Sequence, residues 1–252
     1  MTRERLLNVL GVVVLVVIWD AFVGAGHVAL PPLSLVAHDL VALLRSGDLL
    51  VDGLASLERV GAGVAIAALV ALMLAIPAAL WPTFSYLLGG VIELMRPVPP
   101  LAWVPIAILA FGIGNKPAIA IVALGAFFPM WLGLHQGFAE VRTQHLLAAK
   151  SFGADARVRL FDVILPSVLP YAFHGFRLGV GLGWFCVVAA ELMGANSGLG
   201  YGVQLNSLNL SLGKTYSYVV AIAVLGAVMN FGLQSIEGRV FRWHRLAIAG
   251  DE

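Results

Sequence analysis

The sequence predicts an all-α polytopic membrane protein of about six transmembrane helices, and three observations carry that prediction. Apolar residues make up 60% of the 252 residues and charged residues only 12%, about half the charged share of a soluble domain. A soluble protein of this length needs a charged shell around its core, and this composition cannot supply one. Long uncharged runs recur along the chain, and a bilayer-spanning helix needs roughly 20 apolar residues. The basic residues, finally, fall unevenly between the loops that such spans would create.

The expected spans follow in order. The first covers about 6–24. Pro31-Pro32 then introduces 34–46, where Leu35, Val36, Leu40, Leu43 and Leu44 oppose His38, Asp39 and Arg45, the pattern of an amphipathic helix lying at the surface. The second span starts near Gly53 and runs to about Leu80. The third, about 89–111, contains Pro97, Pro99, Pro100 and Pro105, and the fourth covers about 117–134. A polar, basic stretch at 135–170 interrupts the hydrophobicity. The fifth span is about 171–193, a Gly/Asn/Ser-rich segment fills 194–214, and the sixth is about 216–236. The chain thus divides into an N-terminal helix within 1–30, an extracytoplasmic amphipathic segment at 31–52, and a core at 53–245 of five transmembrane helices with a cytoplasmic loop at 135–170. Met1 to Arg5 followed by the apolar run resembles a secretory signal. Trp19, Asp20 and Phe22 follow it, however, and Ala25-Gly26-His27 is a poor cleavage site, so an uncleaved first helix is expected.

Six spans place both ends on one side of the membrane, and the side is chosen by positive charge. With the ends in the cytoplasm, that side holds Arg3, Arg5, Arg96, Arg142, Lys150, Arg157, Arg159, Arg177, Arg239, Arg242 and Arg245, beside His244. The other side holds only Arg45, Arg59, Lys116 and Lys214. Both termini and the loop at 135–170 are therefore expected in the cytoplasm.

That loop carries the strongest signal. It reads as two short helices joined at a glycine: Leu146-Leu147-Ala148-Ala149-Lys150-Ser151-Phe152-Gly153, then Ala154-Asp155-Ala156-Arg157-Val158-Arg159-Leu160-Phe161. The paired alanines give a smooth face that another backbone can approach. Gly153 suits the left-handed position that ends a helix, and Pro166 and Pro170 reset the chain as it re-enters the membrane. The shape is a short helix held out for insertion into a partner's groove.

Ala148-Ala149, three residues, Gly153, then Ile164-Leu165-Pro166 resembles the cytoplasmic coupling loop of ABC importer permeases. Further segments are similar to the nitrate, sulfonate and taurine permeases of that family: 93–103 with Phe111-Gly112-Ile113-Gly114, then Phe176 to Trp184, Val188-Ala189-Ala190-Glu191-Leu192, and Ala195-Asn196-Ser197-Gly198-Leu199-Gly200-Tyr201. The resemblance implies a type I ABC importer (MetI-like) permease fold and two copies of this chain forming the pathway. It also implies two copies of an ABC ATPase subunit that binds ATP and Mg, and an extracytoplasmic substrate-binding protein. The bacterial inner membrane is the implied location. Ala148, Ala149, Lys150, Ser151, Phe152, Gly153, Ala154, Arg157 and Pro166 would dock the ATPase. Leu147 stands where the family often has Glu, so a charge pair through that position is not expected.

Several residues at membrane depth are candidates for the pathway. Arg96, Pro97, Pro99, Pro100 and Trp103 lie in a proline-dense stretch, and broken helices at that depth survive only against protein or a water-filled cavity. Arg96 either pairs with Glu93 and snorkels or draws an anion to the pathway. Glu191 either faces a cavity or partner at mid-membrane, where an unpaired carboxylate costs a few kcal/mol, or caps the polar segment beginning at Gly194. Its charge would repel an anion, so it is not expected to be a direct ligand. Trp184 and Asn196 complete the set, with Trp103 and Trp184 equally open to packing or interface roles. Gly175, Gly179 and Gly183 recur every four residues, a small-xxx-small stripe for helix packing.

Other chemistries find no support. Gly213-Lys214-Thr215 ends like a nucleotide-binding loop, but Leu208 occupies the first glycine position of that motif, so no ATP site or other cofactor is expected on this chain. The six histidines have no metal spacing, no hydrolase or zincin motif occurs, and the basic residues follow topology and not nucleic acid. The chain is not expected to be an enzyme. A secondary transporter or channel working without an ATPase would call for ion-coupling carboxylates in mid-span or an internal repeat. An intramembrane enzyme would call for paired catalytic groups. For substrate, the resemblances centre on a small oxyanion: taurine or an aliphatic sulfonate first, nitrate or bicarbonate next.

Overall fold

The computed structural model describes residues 3–24, 30–141 and 143–241, and among them every regular element is helical. Arg142, Arg242, His244 and Arg245, which carry part of the expected cytoplasmic charge, lie outside the described residues. In chain order the elements are α1 (Arg3–Gly24), α2 (Leu33–Ser46), α3 (Asp48–Leu80), α4 (Pro82–Met95), a 3-10 turn (Pro100–Trp103), α5 (Val104–Phe111), α6 (Asn115–Glu140), α7 (Thr143–Ser151), α8 (Ala156–Val158), a π-helical turn (Arg159–Ile164), α9 (Leu165–Gly194), α10 (Leu199–Leu208) and α11 (Leu212–Val240). Four of the resulting helices are long and apolar enough to cross a membrane, and a bent pair makes a fifth if taken as one span. At 22 residues, α1 also has the length of a span.

The core is α6 packed between α3 and α9. Lipid tails are as apolar as leucine, so helices in a bilayer associate through close packing, and small residues line these contacts. On α3, Ala67, Ala71 and Ala75 recur every four residues and are at most 1% exposed. A Cβ at Gly63 would fall 2.5 Å from Val122. Gly133 of α6 and Gly175 of α9 meet backbone to backbone: a Cβ on Gly175 would lie 2.6 Å from the Pro129 carbonyl oxygen and 3.0 Å from the Gly133 Cα. Gly179 lies against Ala126 and Met130, and Gly183 against Val122 and Val64. All three glycines of the α9 stripe therefore sit in the helix interface.

Three elements differ from the sequence-based expectation. The segment read as a surface helix is α2, but it is clamped to the bundle: Val36 and Leu43 are buried, and Ser217 of α11 donates to the Val36 carbonyl (2.9 Å). Val36 and Leu43 of its apolar face have a protein partner, while Leu35 and Leu44 stay exposed. After Gly47, in the left-handed region at φ +86°, α3 begins at Asp48 and not near Gly53. The third span is not one kinked rod. Here α4 and the segment Pro100–Phe111 meet at 85° across residues 96–99, because consecutive prolines remove N–H donors and hold the preceding residues extended.

The second helix of the cytoplasmic loop does not end before the membrane. It continues through α8, the π-turn and α9 as a helical rod over Ala156–Gly194, 39 residues long. Pro166 falls in the first turn of α9 and Pro170 inside it. The wider π-turn just before Pro166 supplies the room and the relaxed hydrogen bonding that a proline in a helix requires.

Candidate functional site

Three neighbouring polar residues on α3 organise one end of the bundle. Asp52, Ser56 and Arg59 are spaced i, i+4, i+7, so they share a helix face. Opposite them lies the elbow between α9 and α10. Three consecutive backbone donors at the start of α10 are satisfied there: Gly198 N–H donates to Asp52 Oδ1 (2.8 Å), Leu199 N–H to Ser56 Oγ (2.9 Å) and Gly200 N–H to Glu191 Oε2 (2.9 Å). First-turn N–H groups lack helical partners, and acidic acceptors suit the positive end of the helix dipole. Ser56 in turn donates to the Glu191 carboxylate at 2.9 Å.

Arg59 is the centre of this clasp. Its five N–H donors make five hydrogen bonds: to Glu191 Oε1, to the Ser197 carbonyl (2.7 Å) and Oγ (2.6 Å), and twice to Asn115 Oδ1 (3.0 and 2.8 Å). Arg59 is 2% exposed and Glu191 0%. A buried charge pair is tolerated when both partners are fully hydrogen-bonded, and this one is. Tyr218 of α11 donates to Asp52 Oδ2 (2.8 Å), so the cluster joins α3, the N-terminus of α6, the C-terminus of α9, α10 and α11. Gly198 completes it. Its φ is +108°, and a Cβ there would overlap the Glu191 carboxylate and the Arg59 guanidinium.

Arg59 entered the sequence reading only as one of the four basic residues counted on the non-cytoplasmic side; it is the most fully bonded side chain of the buried cluster, with its partner 132 residues away. Glu191 is enclosed, and its oxygens accept from Arg59, Ser56 and Gly200. It lines no open passage and holds the segment that follows it. Trp184 likewise packs: it is 8% exposed, and its indole N–H donates to the Ile222 carbonyl of α11 (3.2 Å). Asn196 is exposed beside the clasp and takes no part in it. Asp52, Ser56, Asn115, Ser197 and Tyr218 were not singled out in the sequence.

The remaining pathway candidates gather at the 85° break. Arg96, Pro97 and Pro99 are exposed there, while Pro100 and Trp103 are half-buried against the core. Arg96 forms no ion pair with Glu93; the ion pairs among the described residues lie elsewhere. At the opposite end of the bundle from the clasp, Arg177 and His174 of α9 both approach Glu237 of α11, at 2.9 and 3.1 Å.

The loop residues form a second structured unit. Ala154 N–H donates to the Ala149 carbonyl and Gly153 N–H to the Lys150 carbonyl, both at 3.0 Å, with Gly153 at φ +78°. This is the Schellman ending of a helix. Asp155 caps the next helix, accepting from Val158 N–H at 2.8 Å. Between the two, Phe152 is 91% exposed. Ala148, Lys150, Ser151 and Arg157 are also exposed, Ala149, Ala154 and Pro166 half-buried.

A helical bundle with four or five segments long and apolar enough to cross a membrane, one of them sharply bent, and a structured basic loop between two of them has the build of an integral membrane protein. Comparison with known proteins places it further. Residues 63–242 match the family described as binding-protein-dependent transport system inner membrane component, and the chain belongs to that family. It is similar to a chain of Methanocaldococcus jannaschii described as an ABC transporter permease protein, 34% identical over 252 residues, covering 97% of this chain and 94% of that one. It is also similar to the taurine transport system permease protein of Escherichia coli K12, 36% identical over 190 residues, covering 75% of this chain and 69% of that one. Among solved structures the fold matches the MetNI methionine ABC transporter, determined in inward-facing conformations, with a TM-score of 0.62 and 20% identity over 76% of this chain and 96% of that one. The chain is thus the permease component of an ABC importer, a MetI-type helical fold and not itself an enzyme.

Proposed function

We infer that this permease component translocates a small oxyanion, taurine or an aliphatic sulfonate first and nitrate or bicarbonate next, delivered by an extracytoplasmic binding protein. The relative named for taurine supports that substrate class, as do the segments around 93–103 and 195–201. The termini and the loop at 135–170 face the cytoplasm, where the basic residues concentrate. ATP and Mg act on a separate ATPase subunit, and this chain carries no cofactor.

The observation that carries the mechanism is the structured turn at Gly153, followed at Ala156 by a helix continuous with α9. Two copies of the chain form the pathway, each docking one ATPase through Ala148 to Pro166. Supporting the paired arrangement, the broken backbone at residues 96–99 is exposed in the single chain, and such backbone at membrane depth needs protein or water beside it. ATP-driven closure of the ATPases pushes the rods that begin at Ala156, rotates the bundles and opens the cavity toward the binding protein. Hydrolysis resets them.

Gly153→Leu tests the coupling step. A leucine in the left-handed region costs about 1–2 kcal/mol, enough to displace the turn without touching the bundle. The variant is expected to insert normally and to leave ATP hydrolysis running while transport falls at least about tenfold. Normal transport by this variant contradicts the coupling role. For the substrate, proteoliposomes holding the transporter, its ATPase and its binding protein are expected to take up labelled taurine, with competition by alkanesulfonates. Competition by sugars or cations, and none by these anions, overturns the oxyanion reading.

A further inference from the structure

We propose that the cytoplasmic end of α6, α9 and α11 holds a binding site for an oxyanion head, centred on Arg177: the sulfonate, carboxylate or phosphate of a small organic anion or of a lipid headgroup. The site goes beyond the transport reading above; only its assignment to the cytoplasmic side rests on that reading. A hollow of about 390 Å³ opens there, lined among others by Gln136 of α6, Tyr171, His174 and Arg177 of α9, and Gln234 and Glu237 of α11. Arg177 Nε is buried and forms no hydrogen bond among the described residues. It stands 2.9 Å from Glu237 Oε2, an ion-pair contact in which the N–H is not aimed at the oxygen. Arg59 makes the opposite case, with all its donors satisfied inside the chain. Buried donors in proteins are nearly always paired. An unpaired guanidinium nitrogen beside a polar hollow therefore points to an acceptor supplied from outside the chain.

The ligand class follows from the groups that converge. A guanidinium presents a planar fork of donors that matches the oxygens of a sulfonate, carboxylate or phosphate. Glu237 is the one acid paired with Arg177 among the described residues, and its other oxygen takes His174 Nδ1 at 3.1 Å. Shared between two bases, that carboxylate does not saturate five guanidinium donors. Gln136 and Gln234 are exposed, make no hydrogen bond among the described residues, and bring amide donors from the two flanking helices. The hollow is many times the roughly 30 Å³ that one water occupies, which leaves room for an organic body behind the head, against the ring of Tyr171. Basic pockets between spans on this side of a membrane also take lipid headgroups, whose phosphate offers the same oxygens. A snorkelling arginine reaches water with its head, whereas the Arg177 side chain is 19% exposed with Nε buried. An ion pair alone accounts for holding α9 to α11, but not for an unaligned Nε beside two idle amides.

The test uses the full chain, with the subunits that co-purify, in nanodiscs of phosphatidylcholine, titrated with sodium propanesulfonate at constant ionic strength. A second series replaces the propanesulfonate by increasing phosphatidylglycerol in the disc. A saturable rise in melting temperature is expected in at least one series. Arg177→Gln is expected to weaken the apparent affinity at least about tenfold. Glu237→Gln removes the competing negative charge and is expected to tighten it at least about threefold. Gln136→Leu/Gln234→Leu is expected to keep the parent melting temperature without ligand and to lose about threefold or more in affinity. A purely structural ion pair gives a different pattern: both charge variants melt lower without ligand, and neither shifts an affinity. Saturation by propanesulfonate assigns the site to a free anion, and the same variant pattern seen only with phosphatidylglycerol assigns it to a lipid headgroup. No saturable response in either series, or one that Arg177→Gln leaves unchanged, overturns the proposal. Neither result bears on the permease reading, because no requirement for an ATPase is measured.

Discussion

Glu191→Ala is expected to destabilise the protein by about 3–5 kcal/mol, the cost of leaving a buried charge without its partner. The substitution strands the Arg59 guanidinium, 2% exposed, and removes the acceptor of the Gly200 N–H at the start of α10. It also takes from Ser56 the acceptor of its hydroxyl. The apparent melting temperature in detergent is expected to fall on the order of 10 °C. Because both residues serve one network, Arg59→Ala combined with Glu191→Ala should cost clearly less than the sum of the two single changes. Additive effects would mean that the two side chains act independently and that the clasp is not a unit. The clasp has a functional consequence too. It fastens the neighbouring ends of α3, α6, α9 and α11 to one another, so these four helix ends are expected to move together.

Gly175→Leu is expected to be comparably damaging for a different reason. The collision is with backbone: the Pro129 carbonyl oxygen at 2.6 Å and the Gly133 Cα at 3.0 Å. No side chain can rotate away, so α6 and α9 have to separate. Overpacking of this kind costs about 1–3 kcal/mol even where some adjustment is available, and here the whole central interface shifts. A control lies six residues further along the same helix. Gly181 has nothing within 4 Å of a built Cβ, so Gly181→Leu is expected to leave the melting temperature within about 2 °C of the parent. Equal losses for the two variants would show that any leucine on α9 is harmful and that the close approach is not the cause.

The parts of this fold legible in the sequence are those that depend on spacing within one helix. The apolar runs mark the spans, and glycines four apart mark a packing face whichever helix supplies the other side. Gly153 is readable as a turn because its conformation is a local matter. What was illegible depends on partners distant in the chain. Arg59 stands at the edge of an apolar run, and hydropathy alone sends such a residue to the interface. Its burial is made possible by Glu191, Asn115 and Ser197, none of them near it in sequence. One signal was available: Asp52, Ser56 and Arg59 form a polar stripe at helical spacing on one face of α3. That stripe requires a polar partner, and Glu191 with the segment after it was the available one. The prolines at 97–105 announce an interruption, but its size, 85° between the two segments, cannot be read from them. Pro166 and Pro170 read as a break between loop and span, yet the π-turn before them lets the helix continue.

The claim that this chain is the membrane component of an ATP-driven importer is tested most directly by isolating it, tagged, from native membranes and reconstituting what co-purifies. The expected result is a stoichiometric ATPase subunit and transport in liposomes that requires both ATP and a binding protein. A chain that purifies alone and transports in liposomes without ATP contradicts it and makes the protein a secondary carrier or channel.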